Sequence, residues 1–113
     1  MKYWQVVAMT DMDQIPALAL KAEEIGLEGI TLGDHLITFQ EQYEAYPESE
    51  DAVIRWYPDT HWPDPWVMFG AIAQITKRIR FLTTIYVLPM RDPFSIAKAV
   101  STAARISSDR VVL

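Results

Sequence analysis

The chain contains no cysteine, so a disulfide framework and thiolate metal sites are excluded, and the redox compartment stays open. It has no surplus of bases: Lys and Arg number 10 against 15 acids, a net charge of −5. Phosphate binding needs a basic surface, so this balance argues against nucleic acid as a partner. Long hydrophobic runs are also missing. The longest charge-free stretch, Pro65–Thr76, falls far short of the roughly 20 residues that span a bilayer. The opening MKYWQVV lacks the apolar core and small-residue cleavage site of a secretory signal. A soluble, cytoplasmic protein with no membrane partner is expected. No low-complexity tract occurs either. What is present is ordinary for a globular protein: 113 residues, 50% hydrophobic and 22% charged, enough for one core.

Periodicity divides the chain into alternating elements. Tyr3–Met9 is short, aromatic and β-branched, and predicts a first strand. Asp11-Met12-Asp13 supplies capping residues for a helix whose apolar stripe is Ile15, Leu18, Ala19, Ala22 and Ile25, with Pro16 in its first turn and Gly26 as its C-terminal cap. Gly29–Leu32 reads as a second, buried strand. Asp64-Pro65 opens a second helix with the stripe Met68, Ala71, Ile72 and Ile75, and Lys77 and Arg78 close its last turn, where the dipole favours cations. Arg80–Leu88, apolar on both faces, predicts a third strand. Asp92-Pro93 opens a third helix with the stripe Ile96, Ala99, Val100 and Ala103, and Arg110–Leu113 begins a fourth strand. The order is βαβαβαβ. Strands buried on both sides and joined by amphipathic helices imply a parallel sheet of an α/β protein.

One connection is out of proportion. Residues 36–63 form a long, irregular segment containing Tyr43, Tyr46, Trp56, Tyr57 and Trp62, and a run from Glu41 to Asp51 that is rich in acids and free of bases. Long loops in compact domains are commonly functional. The aromatics favour an ordered lid; the acids suit a solvated face. This loop leaves the carboxyl end of strand 2, the end at which parallel α/β folds build their sites. A four-stranded parallel sheet also leaves two open edges, which predicts association to cover them or homo-oligomerisation. The chain is expected to be the N-terminal portion of a larger domain, with a complete small α/β interaction module as the alternative.

At Gly33-Asp34-His35, Trp62-Pro63-Asp64-Pro65-Trp66, RIRFLTTIYVLPMRDP and ARISSDRVVL, the sequence resembles the luciferase-like monooxygenase family, which includes bacterial luciferase, flavin monooxygenases and oxidoreductases dependent on the deazaflavin coenzyme F-420. AEEIGLEGITLGDH and the Tyr46-Pro47 pair add to the likeness, which runs through essentially the whole chain and is greatest to the deazaflavin type. The resemblance implies a TIM (β/α)8 barrel of about 250 residues. This chain would provide about three βα units and strand 4, with the C-terminal part absent. Where the family usually has Ser-Gly-Gly-Arg, this chain has Ser107-Ser108-Asp109-Arg110. The family holds its cofactor phosphate largely with later loops, so these 113 residues alone would lack much of the site and be inactive.

The resemblance further implies F-420 or FMN as cofactor and a small organic molecule as substrate, in hydride transfer or oxygen activation. His35 would act as acid/base or substrate-orienting group close to the cofactor ring, since imidazole exchanges protons near neutral pH. The alternative for His35 is a turn cap or a residue packed under the lid. Asp34 would orient His35 or bind the cofactor, or else cap its own turn. A non-prolyl cis bond would lie at Thr84–Ile85, against the ring; the alternative is an ordinary strand. Trp66 reads as core, whereas Trp56 and Trp62 suit either a substrate cover or lid packing. Arg91 could meet an anionic group, but a solvent-facing side chain is expected. Asp34, His35, Asp59 and His61 have no fixed spacing, so no metal is expected. A flavin-binding barrel without catalysis is the competing function.

Overall fold

The computed structural model describes every residue except Ala45, Pro47, Glu48 and Ala52. Pro47 of the Tyr46-Pro47 pair and Glu48 of the acidic run therefore lie outside the described residues. In chain order the elements are β1 (Trp4–Val6), α1 (Ile15–Glu24), β2 (Gly29–Leu32), α2 (Pro65–Ile75), β3 (Arg80–Thr83), α3 (Pro93–Ile106) and β4 (Val111–Val112), with short 3-10 turns at Gln40–Tyr43 and Leu88–Met90. The sheet order is β1-β2-β3-β4 and all three pairings are parallel, as the alternation of strands and amphipathic helices predicts. β1 and β4 are its edges.

Alternation along the strands puts Val7, Ile30, Leu32 and Phe81 in the core with Ile15, Ala19 and Ala22 of α1 and Phe69, Ile72 and Ala73 of α2. Phe69 stacks on Phe81 with ring centroids 5.2 Å apart. No helix among the described residues is long and apolar enough to cross a membrane.

Several local expectations need correction. Asp11 and Asp13 do not cap α1; Gln14 holds the N-cap position without a side-chain bond, and the Asp11 carbonyl accepts the Gln14 N–H. Leu18 and Ile25 are exposed, which narrows the α1 stripe. The buried face of α2 is Trp66, Phe69, Ile72 and Ala73, rotated from the expected stripe, while Ile75 is exposed. Nearly every residue of α2 is apolar, so its sequence does not fix the phase of the buried face. The caps of α2 and α3 are as expected: Asp64 accepts from the N–H groups of Trp66 and Val67, and Asp92 from that of Ser95. Gly26 ends α1 with φ +84°, a conformation open to glycine. Ser108 and Asp109, where the family usually has two glycines, also take positive φ (+56° and +60°).

Lys77 and Arg78 lie beyond the end of α2, not in its last turn. Their backbone N–H groups, with that of Ile79, instead donate to the Glu23 carboxylate at 2.6–3.0 Å. The Arg78 guanidinium also donates to the Glu23 carbonyl oxygen. Burial pushes the Glu23 carboxyl up, but these donors and the Arg78 charge outweigh it and hold the group below the usual carboxylate range. A depressed folded pKa adds stability that is fully present above the unfolded value, about 4.3, and is lost as pH falls through the folded one. Urea unfolding midpoints should therefore drop between pH 5 and pH 3, and Glu23→Gln should flatten that drop. An identical acid profile in the variant would refute the tie.

Candidate active site

The parallel register brings the carboxyl ends of β2 and β3 together. Leu32 pairs with Thr83, and the Thr84 N–H donates to the Leu32 carbonyl at 2.8 Å. Beyond this point the two chains separate. From β2 comes Gly33-Asp34-His35; from β3 comes Thr84-Ile85. β3 ends at Thr83, five residues earlier than the apolar run suggests, and the Thr84–Ile85 peptide is cis, at the bond the resemblance implied. Leu88–Met90 then forms a 3-10 turn that leads into α3.

Between these two exits lies a cleft of about 310 Å³. Gly33, Asp34, His35, Thr84 and Ile85 border it, so the structure brings all four expected site residues to one place. Trp56 and Trp62, from the long 36–63 segment, border it too. Trp62 packs closely on Gly33: a Cβ there would stand 3.0 Å from the indole ring. The His35 ring meets Trp56 edge-on at 4.9 Å and Trp62 at 5.4 Å, and Tyr46 packs on Trp56 at 5.1 Å. Nε2 of His35 and the indole N–H groups of Trp56 and Trp62 are buried without a hydrogen-bond partner among the described residues. Leu36, Ile37, Phe39, Ile85 and Met90 line the same cleft and are each about half exposed or more. Large apolar side chains so concentrated at an opening mark a surface built to be covered.

Asp34 borders the cleft, but its carboxylate faces protein donors. Arg91 Nη1 and Nη2 each donate to it at 2.7 Å, one to each oxygen, and the Val87 N–H donates at 2.8 Å. The expectation of a solvent-facing Arg91 is therefore corrected: its side chain is 13% exposed and its partner's 3%. Sequence reasoning missed this pair because its members lie 57 positions apart and no local pattern joins them. Trp66 is core, as expected, at 5% exposure. Asp59 and His61 line a separate hollow with Met9 and Tyr57, and His35 does not border it. No group of three metal-ligating side chains occurs among the described residues.

A larger apolar hollow of about 710 Å³ lies between α3 and the ends of β3 and β4, lined by Leu82, Tyr86, Ile96, Val100 and Leu113 among others. Arg91, the one charged side chain that lines it among the described residues, is already paired with Asp34. Size favours this hollow, whose Trp66 also carries a buried indole N–H without a partner among the described residues; the imidazole of His35 and the greater number of such atoms make the cleft the candidate site.

Comparison with known proteins bears on the family and the fold. Residues 4–113 match the luciferase-like monooxygenase family. The chain belongs to that family. An uncharacterized protein of Mycobacterium tuberculosis is 31% identical over 98% of this chain and 40% of its own length. An F420-dependent glucose-6-phosphate dehydrogenase of Amycolatopsis mediterranei is 28% identical over 84% of this chain and 24% of its own. The chain thus spans about two fifths or less of the curated relatives named here. Among solved structures, the FMN-bound oxygenating constituent of 3,6-diketocamphane monooxygenase from Pseudomonas putida superposes with a TM-score of 0.73 at 18% identity, covering 100% of this chain and 28% of that one. A riboflavin lyase with modified FMN and riboflavin gives 0.66 at 14% identity, covering 98% and 28%. At these identities the superpositions establish the fold: the four parallel strands and three helices match part of each of these luciferase-like barrels.

Proposed function

We propose that this luciferase-like chain forms the first three βα units and fourth strand of a (β/α)8 barrel, in a flavin- or deazaflavin-dependent oxidoreductase acting on a small organic substrate. The observation that carries the reading is the Nε2 of His35, buried without a partner among the described residues, beside an exposed apolar wall at the carboxyl end of a parallel sheet. The FMN of the Pseudomonas putida relative and the F-420 named for the Amycolatopsis mediterranei relative support the choice of cofactor.

The cleft fits the ring portion of either group. Ile85 and the Thr84–Ile85 peptide form one wall, and His35 with Asp34 the other. No Lys or Arg lines the cleft among the described residues, so nothing here neutralises a phosphate. Either cofactor, when bound, supplies hydride transfer or oxygen activation. His35 holds or moves a proton at Nε2 for the substrate. Trp56 and Trp62 cover that imidazole and keep water from it, so 36–63 serves as a lid. The apolar rim of Leu36, Ile37 and Phe39 favours a substrate with apolar surface. In the closed barrel the remaining strands cover the β1 and β4 edges, so association through those edges is expected only of the 113 residues alone.

The test is a fluorescence titration of the full-length protein with FMN and with F-420. Saturable binding of one of them is expected, with much weaker binding to the 113 residues alone. Binding of neither to the full-length protein would end the enzyme reading.

A further inference from the structure

The two walls of the cleft belong to different strands, and beyond Thr84 the sheet no longer holds them together. Within 85–91 the backbone bonds are local: Leu88 N–H to the Tyr86 carbonyl, Met90 to Val87 and Arg91 to Leu88. The hydrogen bonds that join this segment to the end of β2, among the described residues, all end on the Asp34 carboxylate. Asp34 adjoins His35 in the chain. Val87 and Arg91 follow the cis bond on the other wall.

We propose that Asp34 and Arg91 form a clamp that positions His35 against the Thr84–Ile85 wall. This rests on the reading of the cleft as the cofactor-ring site, and it makes both side chains positioning residues.

The geometry explains why this pair suits the task. The planar guanidinium meets both carboxylate oxygens at once, which fixes direction as well as distance. It also donates to the Val87 carbonyl at 3.3 Å, so the carboxylate and the guanidinium hold the Val87 backbone on both sides, one at its N–H and the other at its carbonyl. The guanidinium carbon lies 4.4 Å from the Tyr86 ring centroid, and Tyr86 packs on Trp66 of α2 at 5.3 Å. The clamp is therefore buttressed by the start of the helix that follows the lid. A lysine at 91 would keep the charge but lose the fork, leaving one carboxylate oxygen and the Val87 carbonyl without their second partner.

Arg91→Lys, the double variant Asp34→Asn/Arg91→Gln, and Glu23→Gln as a tie at the opposite end of the sheet are compared in the full-length protein. Arg91→Lys should fold, speed amide hydrogen exchange at Val87 at least tenfold, and weaken binding of the preferred cofactor at least tenfold. The double variant leaves no unpaired buried charge and should show the same two changes. Glu23→Gln should leave both readings within twofold of the parent. Val87 exchange and cofactor affinity within twofold of the parent in Arg91→Lys would overturn the clamp. So would failure of both clamp variants to fold, which would assign the pair to global stability. If the parent itself binds neither cofactor, the reading of the cleft falls, while Val87 exchange still decides the clamp.

Discussion

Replacing His35 with alanine is expected to lower turnover of the full-length enzyme by about 10²- to 10⁴-fold, the usual range for loss of a positioned proton-transfer group. Cofactor affinity should also fall, by about tenfold or more, because one wall of the ring site is lost while Trp56, Trp62 and Ile85 remain. His35→Gln separates two roles. Glutamine can still hydrogen-bond but cannot relay a proton at neutral pH. Partial rescue by glutamine would indicate substrate orientation; loss equal to that of alanine would indicate proton transfer. Full turnover in His35→Ala would remove the assigned role while leaving the family membership untouched.

Gly29→Ala should produce the largest loss of stability, about 4 kcal/mol or more, at the top of the range for single substitutions. An added Cβ would stand 2.2 Å from the Arg80 carbonyl oxygen and 2.5 Å from Cζ3 of the Trp4 ring. Arg80 is the register partner of Gly29 in β3, so its backbone cannot retreat without breaking the ladder, and the Trp4 ring on the β1 side would have to swing away as well. Gly70→Ala is the internal control. It lies in α2 with nothing within 4 Å of the added atom, and alanine there should be neutral or stabilise by up to about 1 kcal/mol. Chemical unfolding of both variants measures the contrast. A Gly29→Ala loss below about 1 kcal/mol would mean that β1, β2 and β3 do not pair in this register.

The elements themselves were legible in the sequence because each is announced locally. Asp64-Pro65 and Asp92-Pro93 cap helices through their own following backbone, and the spacing of Ile15, Ala19 and Ala22 suffices for α1. What was not legible depends on groups distant in sequence. The end of β3 is hidden inside the unbroken apolar run RFLTTIYVL, because a change of backbone direction at Thr84–Ile85 leaves no mark in composition. Lys77 and Arg78 look like helix-dipole partners until Glu23, more than fifty residues away, is seen to take their N–H groups. In the site, the position of His35 follows from the buried strand before it, and the family resemblance pointed to Thr84 and Ile85. The Asp34–Arg91 pair and the seating of Trp56 and Trp62 on His35 needed coordinates.

On the proposed function the cofactor ring lies between His35 and the Thr84–Ile85 peptide. Isoleucine-methyl NMR of the full-length protein, titrated with its preferred cofactor, tests this most directly, since ring currents act over only a few ångströms. Ile85 and Ile37 line the cleft, and Ile96 lies in the larger hollow beside α3. Large shifts are expected at Ile85 and Ile37, with Ile96 unmoved. Shifts at Ile96 with Ile85 silent would contradict that placement.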